Sequence, residues 1–391
     1  MFLMLHFCYI SCLYDLFYKK FQFRTKLDYL FETTKFMSRE HKKTDILFIL
    51  KKKENYGFKY EDANGMSSGL LNSAKFVSDM INEHLKLHSK IVVVEDYNKI
   101  DKEIHTHRPK IVVIEAIWVI PSKFEELSKL HPNVKFIIRI HSEIPFLANE
   151  GIAMKYIFEY AKLSTYDGLN IQLSTNSLRA QKDLKELCQG MYPDFGDNVS
   201  YLPNYYPVTE NNTDNKYFNN KTKIINIGCF GAIRPLKNTL KQAVAAIEFA
   251  NKRNKTLYFH INSGRVEHGD NALKNLKALF ENQEKHKLIE HPWLNHEDFI
   301  ELVKKMDIGL QVSLTETFNI VAADMVNENI PVVASSEISW LSDNSKADPN
   351  STESIVRAID KSLKGFVIDG NKKRLKSFCE KTVIAWRNNL V

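Results

Sequence analysis

Two acids eight residues apart, Glu316 and Asp324, lie in a stretch that is otherwise apolar or small: "SLTETFNIVAADMVNENIPVVASS", Ser313 to Ser336. Phe318, Ile320, Val321, Ala322 and Ala323 read as a tightly packed helix. An Asp inside such a helix is unfavourable unless its carboxylate has a partner or a ligand. Glu316 precedes the helix, beside its free amide N–H groups. The pair is either one wall of a site, with both carboxylates accepting from hydroxyl groups, or a coincidence in which Asp324 is only a buried structural acid. A second cluster, "GAIRPLKN", follows an apolar run: Gly231 permits a tight turn, and Arg234 and Lys237 lead into a helix. A helix N-terminus flanked by an Arg and a Lys suits a phosphate or diphosphate; the alternative is two solvated charges.

Other candidates sit at the ends of apolar runs. Asn262 is in the turn "NSG". Trp293 and Leu294, in "HPWLN", can frame a flat ring, although Trp293 fits a core equally well. His141 follows "VKFIIRI", where a lone His is either structural or a ligand contact. Gly65, Ser67, Ser68 and Gly69, in "NGMSSG", form a glycine-rich turn running into a helix. Asp-x-Asp occurs nowhere in the chain, and the pairs His105/His107 and His291/His296 do not make a metal-ligand set, so no metal is expected.

These residues need a scaffold, and the periodicity supplies one. Strand-length apolar runs at 46–50, 91–95, 111–116, 134–140 and 170–174 alternate with helical patterns at 66–88, 98–108, 121–130, 149–163 and 176–190. A second series of strands follows at 224–230, 256–262, 287–291, 307–314 and 330–335, with helices between them and two more at 351–364 and 371–389. The β-α-β-α order predicts two α/β domains, each a doubly wound parallel sheet, whose ligands bind at the carboxyl ends of the strands. The expected division is an N-terminal extension (1–44), a first domain (45–207), an Asn-rich linker (208–222), a second domain (223–370) and a terminal helix (371–391) with Trp386 as its anchor.

Composition narrows the class. A chain of 391 residues, 44% of them apolar, is long enough for two cores. Five cysteines without a C-x-x-C pair point to a reduced, cytoplasmic compartment rather than a disulfide framework. Residues 1–60 carry twelve Lys and Arg against six Asp and Glu, which is six of the net +7. The opening "MFLMLHFCYISCLYDLFY" lacks the form of a signal peptide, and His6 and Asp15 make it a poor membrane span. It reads as a helix packed on the protein's own body or, through residues 1–30, as a peripheral membrane contact.

Together, the two Rossmann-like domains, the Gly231–Arg234–Lys237 loop and the two acids before "PVVAS" resemble the retaining GT-B glycosyltransferases of family 4. The resemblance covers roughly residues 45–390 and is strongest over 224–340. It implies a GT-B fold with an extra N-terminal helical segment, and transfer of a hexose-type sugar from a nucleotide-diphosphate sugar to a glycan, a lipid-linked sugar or another hydroxyl, with retention of configuration and no cofactor. Glu316 and His141 would then contact the donor sugar and Asp324 the ribose. Lys237 and Arg234 would hold the diphosphate. Gly65, Ser67, Gly69, Gly231, Asn262, Trp293, Leu294, Phe318, Asn319 and Ile320 would line the donor site. The sequence departs from the family pattern in three places: the second acid is Asp instead of Glu, Asn319 replaces a Gly, and Arg234 is displaced while Lys237 keeps its spacing.

Other classes stay open. The departures suit a non-catalytic nucleotide-sugar-binding or recruitment protein. The basic N-terminal part admits a nucleic-acid acceptor such as a modified DNA base. A sugar-nucleotide epimerase or a phosphorylase can use the same scaffold.

Overall fold

A computed structural model describes residues 43–52, 68–209, 222–268, 270–281 and 283–390. The expectations for the extension up to Lys42, for Gly65 and Ser67, and for most of the linker fall outside these residues.

Six parallel strands form the first sheet: β1 (Ile46–Lys51), β2 (Ser89–Val94), β3 (Ile111–Glu115), β4 (Lys135–Ile140), β5 (Ile171–Thr175) and β6 (Val199–Tyr201), in the order β2-β1-β3-β4-β5-β6. Five more form the second: β7 (Ile224–Gly228), β8 (Thr256–Asn262), β9 (Lys287–His291), β10 (Ile308–Gln311) and β11 (Val332–Ala334), in the order β11-β10-β7-β8-β9. The central strands are buried along nearly their whole length, as in "ILFIL" of β1 and "KFIIRI" of β4. This is the pattern of a sheet covered by helices on both faces. Connections reverse direction between β1 and β3 in the first sheet and between β7 and β10 in the second. Such switch points open crevices at the carboxyl ends of the strands. The loops after β7 and β10 carry Gly231–Lys237 and Thr315–Thr317, so the topology itself brings the two sequence clusters together.

Two glycines are needed for this arrangement. Gly231 has φ 117°, a backbone conformation in which an L side chain is strained. At Gly309 a Cβ would come within 2.0 Å of Met325 Sδ, so the strand is bare where the Ile320–Asn327 helix crosses it.

Several boundaries differ from the sequence reading. The helix expected over 66–88 is α-helical only from Ser68 to Met80 and widens into a π turn at Ile81–Leu85, closed by left-handed Lys86. β6 was not expected: three residues running into Pro203 give too short a pattern to read. The last helix starts earlier than its periodicity suggests, at Gly365, and runs to Leu390. It returns to the first sheet, where Trp386 is fully buried, lies 6.0 Å from Phe48 and donates from Nε1 to the Pro203 carbonyl at 2.8 Å.

Among the described residues, no helix is long and apolar enough to cross a membrane. Nor do any three of His, Cys, Asp and Glu come together in a way that could hold a metal ion.

Candidate functional site

Two adjoining openings lie along the cleft between the sheets. The first, of about 470 Å³ including space open to solvent, is lined by Gly69 and Asn72 from one side. Gly231, Asn262, Trp293, Leu294, His296, Phe299, Ile320, Val321 and Asp324 line it from the other. Asn262 accepts from the Gly231 amide at 3.1 Å and so fixes the turn after β7. Trp293 is half-buried, with the Arg265 guanidinium 5.0 Å from its ring centroid, so it is a wall of the opening and not core. A Cβ at Gly69 would lie 3.9 Å from Ile320 Cγ2, which leaves the two sides of the cleft in near contact there.

Asp324 closes the floor of this opening. It is 1% exposed, and its Oδ1 accepts from the Tyr206 hydroxyl at 2.9 Å and pairs with His296 Nε2 at 2.8 Å. Burial pushes its pKa up, against the opposing pull of His296 and Tyr206. The hydrogen bond to Asp324 in turn raises His296. Phe76 packs edge-on against both Tyr206 and His296, at 5.4 and 5.8 Å. Asp324 therefore does both things its sequence context allowed: it is a buried acid with structural partners, and it lines the opening.

The second opening, of about 380 Å³, is lined by His141, Ser142, Glu143, Phe146, Arg234, Leu236, Lys237, Thr315, Glu316 and Thr317. Lys237 Nζ lies 2.5 Å from Glu316 Oε2, and Asn319 Nδ2 donates to the same oxygen at 3.0 Å. Arg234 pairs with Glu267 and lies 5.0 Å from the Phe146 ring centroid. Both cations thus already have carboxylate partners. A phosphate here would share or displace them.

Between the openings, Asn319 occupies the position where the family pattern has glycine. It adopts φ 57°, a left-handed conformation that Asn tolerates better than most residues, and its side chain caps the next helix by accepting from Ala322 N at 2.9 Å. Asn319 is buried and acts through this cap and through Glu316. Phe318 is a correction to the sequence reading. Its side chain lines neither opening but stacks on Phe378 at 5.3 Å and packs near Trp340 at 5.8 Å. The last helix supplies Phe378, and no local pattern in the sequence announces that contact.

The two halves also touch directly. Asn176 Nδ2 donates to Thr317 Oγ1 at 3.1 Å, and Thr317 Oγ1 donates to the His141 carbonyl at 3.3 Å. Arg179 reaches Glu337 at 2.7 and 3.0 Å. The sequence reading missed these contacts, together with Tyr206 and His296 behind Asp324 and Glu115 and Arg139 behind His141. The last two left a signal, a charge inside or at the end of a fully apolar strand ("IVVIE", "FIIRI"). A buried charge needs a partner, but the sequence does not say which one.

No family model matches the sequence, and no curated protein matches it. Solved structures do match. Sucrose-phosphate synthase from Thermosynechococcus elongatus is 10% identical with a TM-score of 0.59, over 88% of this chain and 98% of that one. HepE from Anabaena, in complex with UDP and glucose, is 13% identical with a TM-score of 0.56, over 89% of this chain and 100% of that one. The N-terminal domain of Candida albicans trehalose-6-phosphate phosphatase is 10% identical with a TM-score of 0.61, over 88% and 96%. With two parallel Rossmann-like sheets facing a cleft, the chain has the GT-B fold.

Proposed function

We propose that this protein is a glycosyltransferase of the retaining family 4 type, moving a hexose-type sugar from a nucleotide-diphosphate sugar to a hydroxyl of a glycan or lipid-linked acceptor. The observation that carries the proposal is the sorting of the candidate residues into two adjoining openings. Trp293, Leu294, Asn262 and Asp324 line an apolar opening with one acid, suited to a nucleoside. His141, Arg234, Lys237 and Glu316 line a polar one, suited to a sugar and its diphosphate. In this reading residues 45–207 form the acceptor side and 223–370 the donor side.

The mechanism follows from the charges. As the sugar–oxygen bond to the diphosphate breaks, negative charge grows on the leaving group, and Lys237, Arg234 and the N-terminus of the Ile320–Asn327 helix stabilise it without a metal. The sugar passes through an oxocarbenium-like state near Glu316. The near contact between Gly69 and Ile320 limits water around the donor. Asp324 accepts from the ribose through Oδ2, since both of its protein bonds fall on Oδ1.

A second reading, a non-catalytic nucleotide-sugar-binding protein, is favoured by one observation: Lys237 and Glu316 are already paired with each other. Donor hydrolysis separates the two. With UDP-glucose first, then other nucleotide sugars, slow release of nucleoside diphosphate and of sugar with its anomeric configuration kept, undiminished by EDTA, supports the transferase. Binding without hydrolysis supports the second reading, and dependence on magnesium or manganese contradicts the metal-free mechanism.

A further inference from the structure

Beneath the polar opening lies a buried acid that the donor site itself does not use. Glu115 ends β3 and is 0% exposed. Its two oxygens accept from Arg139 Nη1 at 3.1 and 3.2 Å, and Oε2 makes a short contact with His141 Nε2. Arg139, also fully buried, donates from Nε to the Leu202 carbonyl at 2.9 Å and from Nη2 to Asn204 at 2.5 Å, with Trp386 centred 5.3 Å away. The next residue, Ala116, is held at φ 71° with its amide donating to the Arg139 carbonyl at 2.9 Å. A non-glycine residue in that region persists only where its surroundings fix it. Glu115 is therefore anchored from both its backbone and its side chain.

The charge balance decides what His141 can be. Arg139 and Glu115 already form a closed pair of opposite charges, and Arg139 keeps the carboxylate ionised despite its burial. A protonated His141 would add a second cation in the same buried place. Burial and the neighbouring Arg139 both disfavour it, outweighing the attraction of Glu115. His141 is then neutral, and an ionised carboxylate has no proton to donate. The shared hydrogen must sit on His141 Nε2, which leaves Nδ1 with a lone pair. His141 lines the polar opening, and among the described residues Nδ1 has no protein partner.

We infer that Glu115 is a positioning residue that locks His141 as the neutral Nε2–H tautomer, so that Nδ1 accepts a hydrogen bond from a hydroxyl group, and not from an oxyanion, of the ligand in this opening. The inference rests on the proposed function only in identifying that hydroxyl as one of the donor sugar. The orienting device does not depend on any donor being known.

The test is a long-range ¹H–¹⁵N spectrum of the ¹⁵N-histidine-labelled full chain at pH 7 without ligand, with the His141 signals assigned by their loss in His141→Gln. The expected pattern is a pyrrole-like Nε2 and a pyridine-like Nδ1. An imidazolium pattern or the Nδ1–H tautomer overturns the inference, whatever the protein binds. In Glu115→Gln, checked for folding by circular dichroism, the amide can donate or accept and the tautomer should become mixed. Donor turnover should fall by about ten- to a hundredfold, taking as a guide the range for metal-bound histidines that lose an orienting partner. A folded Glu115→Gln with the wild-type tautomer also overturns it. If that variant does not fold, the wild-type spectrum alone decides. A correct tautomer in a protein that binds no nucleotide sugar would sink the transferase reading and leave the device standing.

Discussion

Glu115 and Asp324 are both buried acids under the cleft, each bonded to a histidine on its wall, yet they are held differently. Glu115 has a permanent cation, Arg139, on both oxygens. Asp324 has only a tyrosine and a titratable histidine, both on one oxygen. Burial raises both acids; for Glu115 it is outweighed, chiefly by Arg139, and the carboxyl is held below its ordinary pKa, whereas for Asp324 burial outweighs His296 and Tyr206 and holds it above. A fixed cation makes an acid part of the scaffold. Partners that can change state leave it adjustable, and a single occupied oxygen leaves it able to bind a ligand.

The largest expected effect breaks the scaffold side of this contrast. Arg139→Met strands the Glu115 charge in a dry interior, and removing one member of a buried pair costs about 3–5 kcal/mol. Thermal melting should show a marked loss of stability. Asp324→Asn, in contrast, keeps an oxygen for Tyr206 and His296 and should melt close to wild type. Equal losses in the two variants would erase the distinction.

Next in size is the catalytic contrast. Lys237→Ala should lower donor hydrolysis by about 10²–10³-fold, the effect expected when one group stabilising a developing charge is lost. Glu316→Gln should act in the same direction, on turnover, because the sugar contact proposed for it matters most as charge develops. Asp324→Asn should instead raise the donor KM by about tenfold, as expected from one charge-assisted hydrogen bond, with turnover little changed. Steady-state kinetics on the three variants would show whether the acids divide in this way.

These expectations rest on features with unequal sequence signals. The central strands were legible because buried parallel strands are uniformly apolar, and "ILFIL" bounded by polar residues admits little else. Helix starts were legible only to within a few residues: the helix expected over 176–190 begins at Leu178, capped by Ser177. The association of Gly231–Lys237 with Glu316 followed from strand order, since both loops leave carboxyl ends flanking one switch point. The partners were not legible. Nothing local in "IVVIE" points to an Arg twenty-four residues away, and nothing in "PNYYP" singles out Tyr206 as a partner for an acid 118 residues on. The family resemblance places Phe318 at the donor site, but its side chain stacks on Phe378 of a distant helix, in keeping with the packed helix its own neighbours suggest.

The smallest expected effect sharpens the adjustable side. His296 gains its partner on folding, and its pKa is raised above the ordinary 6.5 by the hydrogen bond to Asp324. A histidine raised in the folded state contributes stability that is fully present below its unfolded pKa and is lost as pH rises through its folded pKa. The melting temperature of wild type relative to His296→Gln should therefore show its greatest advantage below pH 6.5 and a shrinking one above it. A difference that grows with pH would mean the bond is made by the neutral ring.

In the proposed reading the two openings hold one nucleotide sugar, with its nucleoside at Asp324 and its diphosphate at Lys237. Calorimetric titration of the wild-type chain with UDP, ADP and GDP and their glucose conjugates tests it most directly. The prediction is one-to-one binding of at least one of these, weakened by both Lys237→Ala and Asp324→Asn in folded protein. The claim is contradicted if all of them fail to bind, or if binding is unchanged in both variants.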